Sequence, residues 1–461
     1  METSSKLPVI SPSTGRLVRE HQALDVFEVN RRIEAAHGAF QEWRDTSFEH
    51  RSQVLLAASK QLLDQQDRYA ARITAEMGKP LTQSQAEVEK CAWVCRFYAD
   101  NAQSMLAPQK IQLDESEASL VACPLGVIYA IMPWNFPFWQ AFRAAAPALM
   151  AGNGMLLKGA ANVPGCSADV SEIFSNSGIP CGLFTDLPID LSLSSGIIAN
   201  PLVRGVTLTG SEAAGRAVAA EAGANLKKCL LELGGNDPYI VLEDANLALA
   251  VQRCVASRML CAGQVCIAAK RLIVVEQIYD RFRELLMKRI LDYVMLDPFN
   301  VDSPLGPLAR RDLRDKVHSQ VQASVKAGAL LLTGGEVPDC EGWWYPATVL
   351  DNVQPGMAAF DDEVFGPVIA LIRAKDTQHA LELASHSRFG LGGAIFSEDV
   401  DQALRLASEK IDVGCIAVND FVRSDPRVPF GGTKDSGFGR ELGSIGIREF
   451  VNLKSIVFTL D

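Results

Sequence analysis

The segment Cys261-Ala-Gly-Gln-Val-Cys266 carries the side chains best suited to nucleophilic chemistry. A thiol attacks as its thiolate, which helix N-termini and positively charged surroundings favour. The small residues Ala262 and Gly263 would let the chain pass close to a ligand. Because buried cysteines are most often inert apolar side chains, this segment alone fits either a nucleophile or a packing residue.

Two further polar residues follow apolar strands. Glu232 ends an apolar run just before paired glycines, where burial would raise its pKa and suit it to general-base catalysis. Asn135 lies between two prolines in the loop PWNFP, residues 133–137, where a rigid backbone would hold its amide toward an oxyanion. The alternatives are a solvated or capping glutamate and an ordinary turn asparagine.

A nucleotide site is indicated by VTLTGSEAAG, residues 206–215, in which a strand ends in Thr-Gly-Ser and a helix begins. Free N–H groups at a helix start suit a pyrophosphate. Lys158, which closes the apolar strand MLLK, would meet a ribose hydroxyl or a phosphate. Ordinary helix capping and a lysine emerging into solvent are the alternatives, and the segment is not a GxGxxG motif.

The elements that must position these residues follow from periodicity. Residues 25–100 place apolar side chains at helical spacing, which predicts a run of helices, and residues 106–124 predict an exposed hairpin. From residue 124 onward, short apolar strands alternate with helices, one of them over 142–150. This alternation predicts parallel sheets of βαβ units in two α/β domains.

Composition narrows the function classes. The chain has 461 residues, 48% hydrophobic and 21% charged, which indicates a folded globular protein of about two to four domains. A net charge of −11 without a basic block argues against nucleic-acid and anionic-membrane partners. Small molecules are the expected ligands.

Location and metal content follow from the cysteines and the apolar segments. The 11 cysteines form neither a disulfide scaffold nor a repeated CxxC pattern, so we predict a reducing, cytoplasmic location and no metal site. The start of the chain lacks the apolar core of a signal peptide, so no export is expected. The uncharged stretch 124–142 contains prolines, which favours a buried strand and loop over a membrane span.

Seven motifs then occur together, in one order. They are PWNFP (133–137), LK (157–158), TGS (209–211), ELGG (232–235), GQVC (263–266), EVFGP (363–367) and PFGGTKDSGFGR (429–440). In this order they resemble the aldehyde dehydrogenase superfamily, from about residue 11 to the C-terminus, and most closely its bacterial NAD-type succinate-semialdehyde dehydrogenases.

The resemblance implies an α/β aldehyde dehydrogenase fold in three parts. A Rossmann-like nucleotide-binding domain would comprise residues 1–105 and 125–231, and an α/β catalytic domain residues 232–440. A small β oligomerisation segment would comprise residues 106–124 and 441–461, in a homodimer or homotetramer.

The resemblance also implies a mechanism. Cys266 attacks the aldehyde carbon, and the Asn135 amide and the Cys266 N–H hold the oxyanion of the thiohemiacetal. Hydride then passes to a nicotinamide cofactor and leaves a thioester, which a water activated by Glu232 hydrolyses. The presence of Glu232 favours this acid-forming branch over the branch that releases acyl-CoA.

For the cofactor, the resemblance implies four side-chain contacts. Glu363 would bind the nicotinamide ribose, Phe365 would pack on the nicotinamide, Lys158 would reach the adenine ribose and Ser211 the pyrophosphate. The rest of the nucleotide site would comprise Ile131, Met132, Pro133, Trp134, Gly210, Gly215, Leu233 and Gly234.

Cofactor choice depends on the residues after Lys158. Many NAD-preferring relatives have a glutamate three residues later, and Ala161 here removes a charge that would repel a 2′-phosphate. No added Arg or Lys follows closely to attract that phosphate. We therefore predict NAD, with NADP as a second cofactor.

The substrate prediction rests on Arg143, where succinate-semialdehyde dehydrogenases also have arginine. A buried guanidinium is costly unless it meets an anion, so Arg143 is predicted to bind a substrate carboxylate, helped by Ser424. A salt bridge to a neighbouring acid is the alternative. Leu260 stands where some relatives have a second arginine, and Arg423 or Arg427 would have to compensate.

The predicted reaction is therefore the oxidation of succinate semialdehyde to succinate. The alternatives are another aldehyde, such as glutarate semialdehyde or a medium aliphatic aldehyde, and a catalytically silent nucleotide-binding relative.

Overall fold

The computed structural model describes residues 6–459. Residues 1–5 of the predicted nucleotide-binding domain and residues 460–461 of the predicted oligomerisation segment lie outside the described residues.

The N-terminal region is a hairpin followed by four helices. Asp25 and Ser47 cap the first two helices, since their side chains accept the N–H groups of Glu28 and His50. The bounds are β1 (Lys6–Ile10), β2 (Leu17–Gln22), α1 (Val26–Trp43), α2 (Phe48–Asp64), α3 (Gln66–Met77) and α4 (Leu81–Met105), then β3 (Gln109–Gln112) and β4 (Glu117–Pro124). Helices therefore occupy the region where apolar spacing predicts them.

Strands and helices alternate in the next hundred residues. The bounds are β5 (Val127–Ile131), α5 (Pro137–Met150), β6 (Gly154–Lys158), α6 (Pro164–Asn176), β7 (Phe184–Asp186), α7 (Ser194–Ala199), β8 (Val203–Thr209), α8 (Glu212–Ala224) and β9 (Lys228–Glu232). Strands β5 to β9 pair in parallel and pack with α1–α6 in one core. Helix α5 begins at Pro137, earlier than the predicted 142, because proline suits the first helical turn.

The second half of the chain builds another sheet. Its first elements are β10 (Pro238–Val241), α9 (Leu247–Met259), a 3₁₀ helix (Leu260–Gly263), β11 (Arg271–Val275), α10 (Glu276–Ile290), α11 (Arg311–Lys326), β12 (Leu330–Thr333) and β13 (Thr348–Asp351). The remainder are α12 (Ala358–Asp361), β14 (Val368–Ala374), α13 (Thr377–Ser385), β15 (Phe389–Gly390), β16 (Gly392–Phe396), α14 (Val400–Lys410), β17 (Cys415–Val418), β18 (Thr433–Lys434), β19 (Gly437–Phe438), α15 (Gly443–Gly446) and β20 (Val451–Phe458).

Two mostly parallel sheets, each with one antiparallel edge strand, confirm the predicted α/β fold class. The first has the order β19-β9-β8-β5-β6-β7 and the second β12-β13-β14-β11-β10-β16-β17. In the first, Ile131 pairs with Lys158 and Thr209 with Glu232, so the predicted site residues share the carboxyl edge, where α/β folds bind ligands. Residues 437–438, inside the predicted catalytic range 232–440, instead pair with β9 of the first sheet.

A third, three-stranded sheet joins the hairpin to the end of the chain. Strand β20 pairs antiparallel with β4, from Val451 opposite Pro124 to Phe458 opposite Glu117. Apolar side chains on it are exposed, among them Ile456 and Val457. Its role in oligomerisation stays a prediction. Across residues 6–459, no helix combines the length and the apolar character needed to cross a bilayer.

Candidate active site

Two cavities meet at Cys266. The larger cavity, about 310 Å³, lies between α4, α5 and the loop after β17, and the smaller cavity, about 190 Å³, lies between α11 and the start of α8. Asn135, Gln140 and Cys266 line both cavities. Molecules bound in the two cavities would therefore meet at the Cys266 thiol.

The loop before Cys266 has an unusual backbone. Cys261 and Ala262 have φ angles of 53° and 51°, in the left-handed region that residues other than glycine rarely adopt. At Gly263, with φ 73°, an added Cβ would lie 2.1 Å from the Gly366 carbonyl oxygen. Only glycine permits this approach, so the loop geometry explains why residue 263, just before Gln264, is a glycine.

Gln264 holds this loop and Asn135 together. Its side-chain Nε2 donates to the Cys261 carbonyl at 3.0 Å and its Oε1 accepts from Ala309 N–H at 2.9 Å. Its own carbonyl accepts from Asn135 Nδ2 at 2.8 Å. The Asn135 amide is thus oriented beside the Cys266 segment, as an oxyanion donor must be.

The Cys266 thiol is half-buried. Burial raises its pKa to about 12, against the opposing effect of the positive charges of Lys270 and Arg143. The group is therefore a thiol at neutral pH, and its attack on a carbonyl carbon requires the loss of a proton to a base.

Glu232 lies in a buried cluster with Glu441 and Arg143. The residue is 2% exposed, and neither carboxyl oxygen forms a hydrogen bond within the described residues. Burial above all, and then the Glu441 carboxyl, raise the pKa of Glu232 well above its usual range, while Arg143 lowers it. Glu232 is not among the residues that line the two cavities, so it must turn toward Cys266 to act on a water there.

The smaller cavity collects eight of the predicted nucleotide-binding residues: Pro133, Trp134, Gly210, Ser211, Leu233, Gly234, Glu363 and Phe365. Glu363 Oε1 accepts from Gly235 N–H at 3.1 Å, and a Cβ on Gly234 would lie 2.5 Å from Oε2. Only glycine at 234 therefore lets the Glu363 carboxylate lie against the chain, where it lines the cavity as an acceptor suited to a sugar hydroxyl.

The same cavity has an aromatic wall and a helix start. The rings of Trp134 and Phe365 are 5.8 Å apart in a T-shaped arrangement. Ser211 caps α8, since its Oγ accepts from Ala214 N–H at 3.3 Å. Helix start, aromatic wall and carboxylate together suit a nicotinamide dinucleotide.

Four predicted nucleotide-binding residues do not line this cavity: Ile131, Met132, Lys158 and Gly215. The Met132 N–H donates to the Lys158 carbonyl at 3.0 Å. A Cβ on Gly215 would lie 2.6 Å from the Leu233 side chain, so close packing of α8 on β9 explains this glycine without a ligand. Their part in nucleotide binding stays a prediction.

Arg143 and Ser424 both line the larger cavity. The Arg143 guanidinium forms an ion pair with Glu441, which is the alternative considered from the sequence, and donates to Thr209 Oγ1 at 3.3 Å. It also lies 5.0 Å from the centroid of the Phe430 ring. Its positive charge therefore reaches the cavity, partly offset by a carboxylate behind it.

The two arginines expected to compensate for Leu260 are both paired with aspartates, although Arg423 also lines the larger cavity. Arg423 pairs with Asp420 at 2.6 Å, and Arg427 pairs with Asp425 at 2.6 Å. Both side chains are exposed.

The chain matches a known protein family along nearly its whole length. The sequence model described as the aldehyde dehydrogenase family matches residues 1–456. The chain belongs to the aldehyde dehydrogenase family. It is therefore an NAD(P)-dependent enzyme that oxidises aldehydes, and the predicted α/β aldehyde dehydrogenase fold class is confirmed.

Relatives within the family are similar along nearly their whole length. The succinate semialdehyde dehydrogenase [NAD(P)+] of Escherichia coli K12 is 44% identical, over 97% of this chain and 96% of the relative. A probable succinate-semialdehyde dehydrogenase [NADP(+)] of Synechocystis is 44% identical, over 98% and 99%. The crystal structure of succinic semialdehyde dehydrogenase from Streptococcus pyogenes with NADP+ superposes with a TM-score of 0.96 at 36% identity, over 98% of this chain and 100% of that one.

Some residues of this aldehyde dehydrogenase site escaped prediction. Lys270 is buried, donates to the Val265 carbonyl at 3.0 Å and to the Cys266 carbonyl, and lies 3.3 Å from Glu363. It ties the nucleophile loop to the carboxylate of the smaller cavity. The sequence signal for Lys270 is its place between apolar segments, because a lysine buried there needs a partner and unpaired lysines are rarely buried.

The larger cavity holds another unpredicted residue, Lys90 of α4. Its ammonium group donates to Ser424 Oγ at 3.0 Å. The sequence offers no signal for it, because lysines on helices usually face water. Within residues 6–459, no group of three or more His, Cys, Asp or Glu side chains is placed to hold a metal ion.

Proposed function

We propose that this aldehyde dehydrogenase oxidises succinate semialdehyde to succinate. The observation that carries the proposal is the meeting of the two cavities at Cys266, with Arg143 and Ser424 lining the larger one. A carboxylated aldehyde in that cavity would find cationic and hydroxyl donors as well as the thiol. The names of the Escherichia coli and Synechocystis relatives support the same substrate.

The chain's own residues perform three tasks. Cys266 forms the bond to the aldehyde carbon, and the Asn135 Nδ2, fixed by the Gln264 carbonyl, stabilises the oxyanion. Glu232, once turned toward the thioester and deprotonated, takes the proton of the hydrolytic water. The bound nicotinamide supplies the acceptor for the hydride.

The smaller cavity would hold that dinucleotide. Glu363, which lines this cavity, would accept a hydrogen bond from the nicotinamide ribose. The N-terminus of α8, at Gly210 and Ser211, would bind the pyrophosphate. Phe365, which lines the same cavity as Cys266, would pack against the nicotinamide.

A substrate panel tests the proposed reaction. We expect kcat/KM for succinate semialdehyde to exceed that for butanal, a neutral aldehyde of equal chain length, by at least roughly 10-fold, the value of one charge-assisted contact. Glutarate semialdehyde is the third substrate of the panel. Equal efficiency with butanal, or a clear preference for glutarate semialdehyde, would contradict the proposal.

We also propose that NADP is used at least as well as NAD. Ala161 is exposed and uncharged three residues after Lys158, and no carboxylate at that position opposes a 2′-phosphate. The Synechocystis relative is named as an NADP enzyme and the Streptococcus pyogenes structure contains NADP+, which supports this choice over the NAD predicted from the residues after Lys158.

Substitution of Ala161 tests the cofactor proposal. Ala161→Glu is expected to lower kcat/KM with NADP by roughly 10- to 100-fold, because a carboxylate would repel the 2′-phosphate, and to leave NAD within about threefold. Ala161→Gln is the matched control, with the same shape and no charge. An equal effect of both variants on both cofactors would show that the position does not read the phosphate.

Location and assembly complete the proposal. A cytoplasmic location accords with the 11 free cysteines, although Cys181 and Cys340 are exposed. A homodimer or homotetramer would cover the exposed apolar side chains of β20.

A further inference from the structure

Three side chains form one polar cluster on the wall of the larger cavity: Lys90 from α4, Trp139 from α5 and Ser424 from the loop after β17. Lys90 Nζ and Trp139 Nε1 both donate to Ser424 Oγ, each at 3.0 Å. The Lys90 ammonium also lies 4.2 Å from the centroid of the Trp139 ring. Elements far apart in the sequence thus hold one ammonium group and one hydroxyl group together.

The hydrogen bonds of this cluster leave donors facing the cavity. A serine hydroxyl has two acceptor positions and one donor. Because Lys90 and Trp139 occupy both acceptor positions of Ser424, its O–H must donate to another group. Lys90 has three N–H donors and uses one on Ser424. The cluster can therefore satisfy a bound acceptor and offers no acceptor of its own.

The charge of Lys90 lacks a partner, because the nearby acids are engaged. Glu87, one turn earlier on α4, forms a buried ion pair with Lys79. Asp425 forms an ion pair with Arg427 at 2.6 Å. Lys90 itself forms no ion pair with any residue between 6 and 459. A half-buried ammonium without a counter-ion is costly, and an anion entering the cavity would remove that cost.

Arg143 differs from Lys90 in this respect. The guanidinium is paired with Glu441, which offsets part of its positive charge at the cavity. Lys90, by contrast, lines the cavity without an ion-pair partner. It lies beside the Ser424 hydroxyl, which the sequence predicts to contact a substrate carboxylate.

We propose that Lys90, together with the Ser424 hydroxyl, binds the carboxylate of the aldehyde substrate and sets the preference for carboxylated over neutral aldehydes. The inference rests on the proposed function, in which the substrate is an aldehyde that carries a carboxylate. Lys90 and Cys266 line the same cavity, so the carboxylate meets Lys90 while the aldehyde carbon meets the thiol. The lysine supplies the second cation that Leu260 does not.

The protonation of Lys90 adds a pH dependence. Burial above all, and the charge of Arg143, lower the pKa of Lys90 to about 8. Glu87, Asp425 and the buried Cys91 thiol act in the opposite direction. Since the folded pKa lies below the usual lysine value, the ammonium form, and with it carboxylate binding, is lost as the pH rises above about 8.

The experiment measures kcat and KM for succinate semialdehyde and butanal in four proteins. In Lys90→Met, which keeps the apolar stem against Trp139, kcat/KM for succinate semialdehyde is expected to fall roughly 10- to 100-fold, mainly through KM. Butanal should stay within about twofold. Lys90→Arg should restore most of the preference, and Lys326→Met, at an exposed lysine of α11, should match the wild type.

A pH series gives a second measurement that does not depend on the folding of the methionine variant. In the wild type, the ratio of kcat/KM for succinate semialdehyde to that for butanal should decline above about pH 8, the pKa of Lys90. In Lys90→Arg the ratio should stay level, because guanidinium remains charged there.

The outcomes separate this inference from the proposed function. A wild type without preference for succinate semialdehyde overturns the proposed substrate. A wild-type preference that survives in Lys90→Met, with a flat pH series, overturns only the role of Lys90 and leaves Arg143 as the anchor. An equal loss with both aldehydes would mean that Lys90 is structural.

Discussion

Replacing Cys266 by alanine is expected to lower kcat for every aldehyde by roughly four orders of magnitude or more, because no covalent intermediate can form. The assay is the rate of reduced cofactor formation with succinate semialdehyde and with butanal. Cofactor binding should persist, since Cys266 is one of many residues that line the smaller cavity.

Cys261 supplies the matched control, five residues away. Burial raises the pKa of both thiols to about 12, so acidity does not distinguish them. Their positions distinguish the two thiols. Cys261 is 1% exposed, its Sγ lies 3.9 Å from Met77 Sδ, and it lines neither cavity. Cys261→Ala should retain activity within a few-fold. Retained turnover in Cys266→Ala, or its loss in Cys261→Ala alone, would contradict the assignment.

The local sequence pattern was sufficient to predict most of the fold. The predicted break between a strand and a helix at Thr-Gly-Ser is present, with β8 ending at Thr209 and α8 beginning at Glu212. Such boundaries depend on nearby residues, namely apolar alternation and a capping serine. The pairing of β19 with β9 was not predictable, because a two-residue strand has no periodicity to detect.

Some site residues could likewise be predicted from local sequence, and others could not. Asn135 and Cys266 could be identified from motifs, and the structure brings both to the junction of the cavities. The pairing of Arg143 with Glu441 is a tertiary contact between α5 and the segment after β19, and no local sequence pattern predicts it. Lys90 is a similar case, since α5 and the loop of Ser424 create its burial and its hydrogen bond.

The Glu441 carboxyl bears on the chemistry of Glu232. Burial, and after it the Glu441 carboxyl, favour the protonated form of Glu232, against the opposing charge of Arg143. A base must be deprotonated to act. The rate of thioester hydrolysis should therefore rise as the pH passes upward through the raised pKa of Glu232, and should fall on the acid side.

Glu232→Gln is expected to separate the two half-reactions. The first turnover, which forms the thioester, should remain visible as a burst of reduced cofactor about equal to the enzyme concentration, since Cys266 and Asn135 are intact. Steady-state kcat should then fall roughly 10²- to 10⁴-fold, because the hydrolytic water loses its base. Rapid mixing with NADP and succinate semialdehyde measures both phases in one trace.

The neighbouring carboxyl provides the comparison for this variant. Burial of Glu232 persists in Glu441→Gln, but the repulsion that adds to it is removed, so the acid limb of kcat should move to lower pH. Glu232→Gln should lack that limb. A steady-state rate in Glu232→Gln equal to that of the wild type would exclude Glu232 as the base. Loss of the burst itself would instead assign Glu232 to the deprotonation of Cys266, because the thiol, with its pKa raised to about 12, also needs a proton acceptor before it can attack.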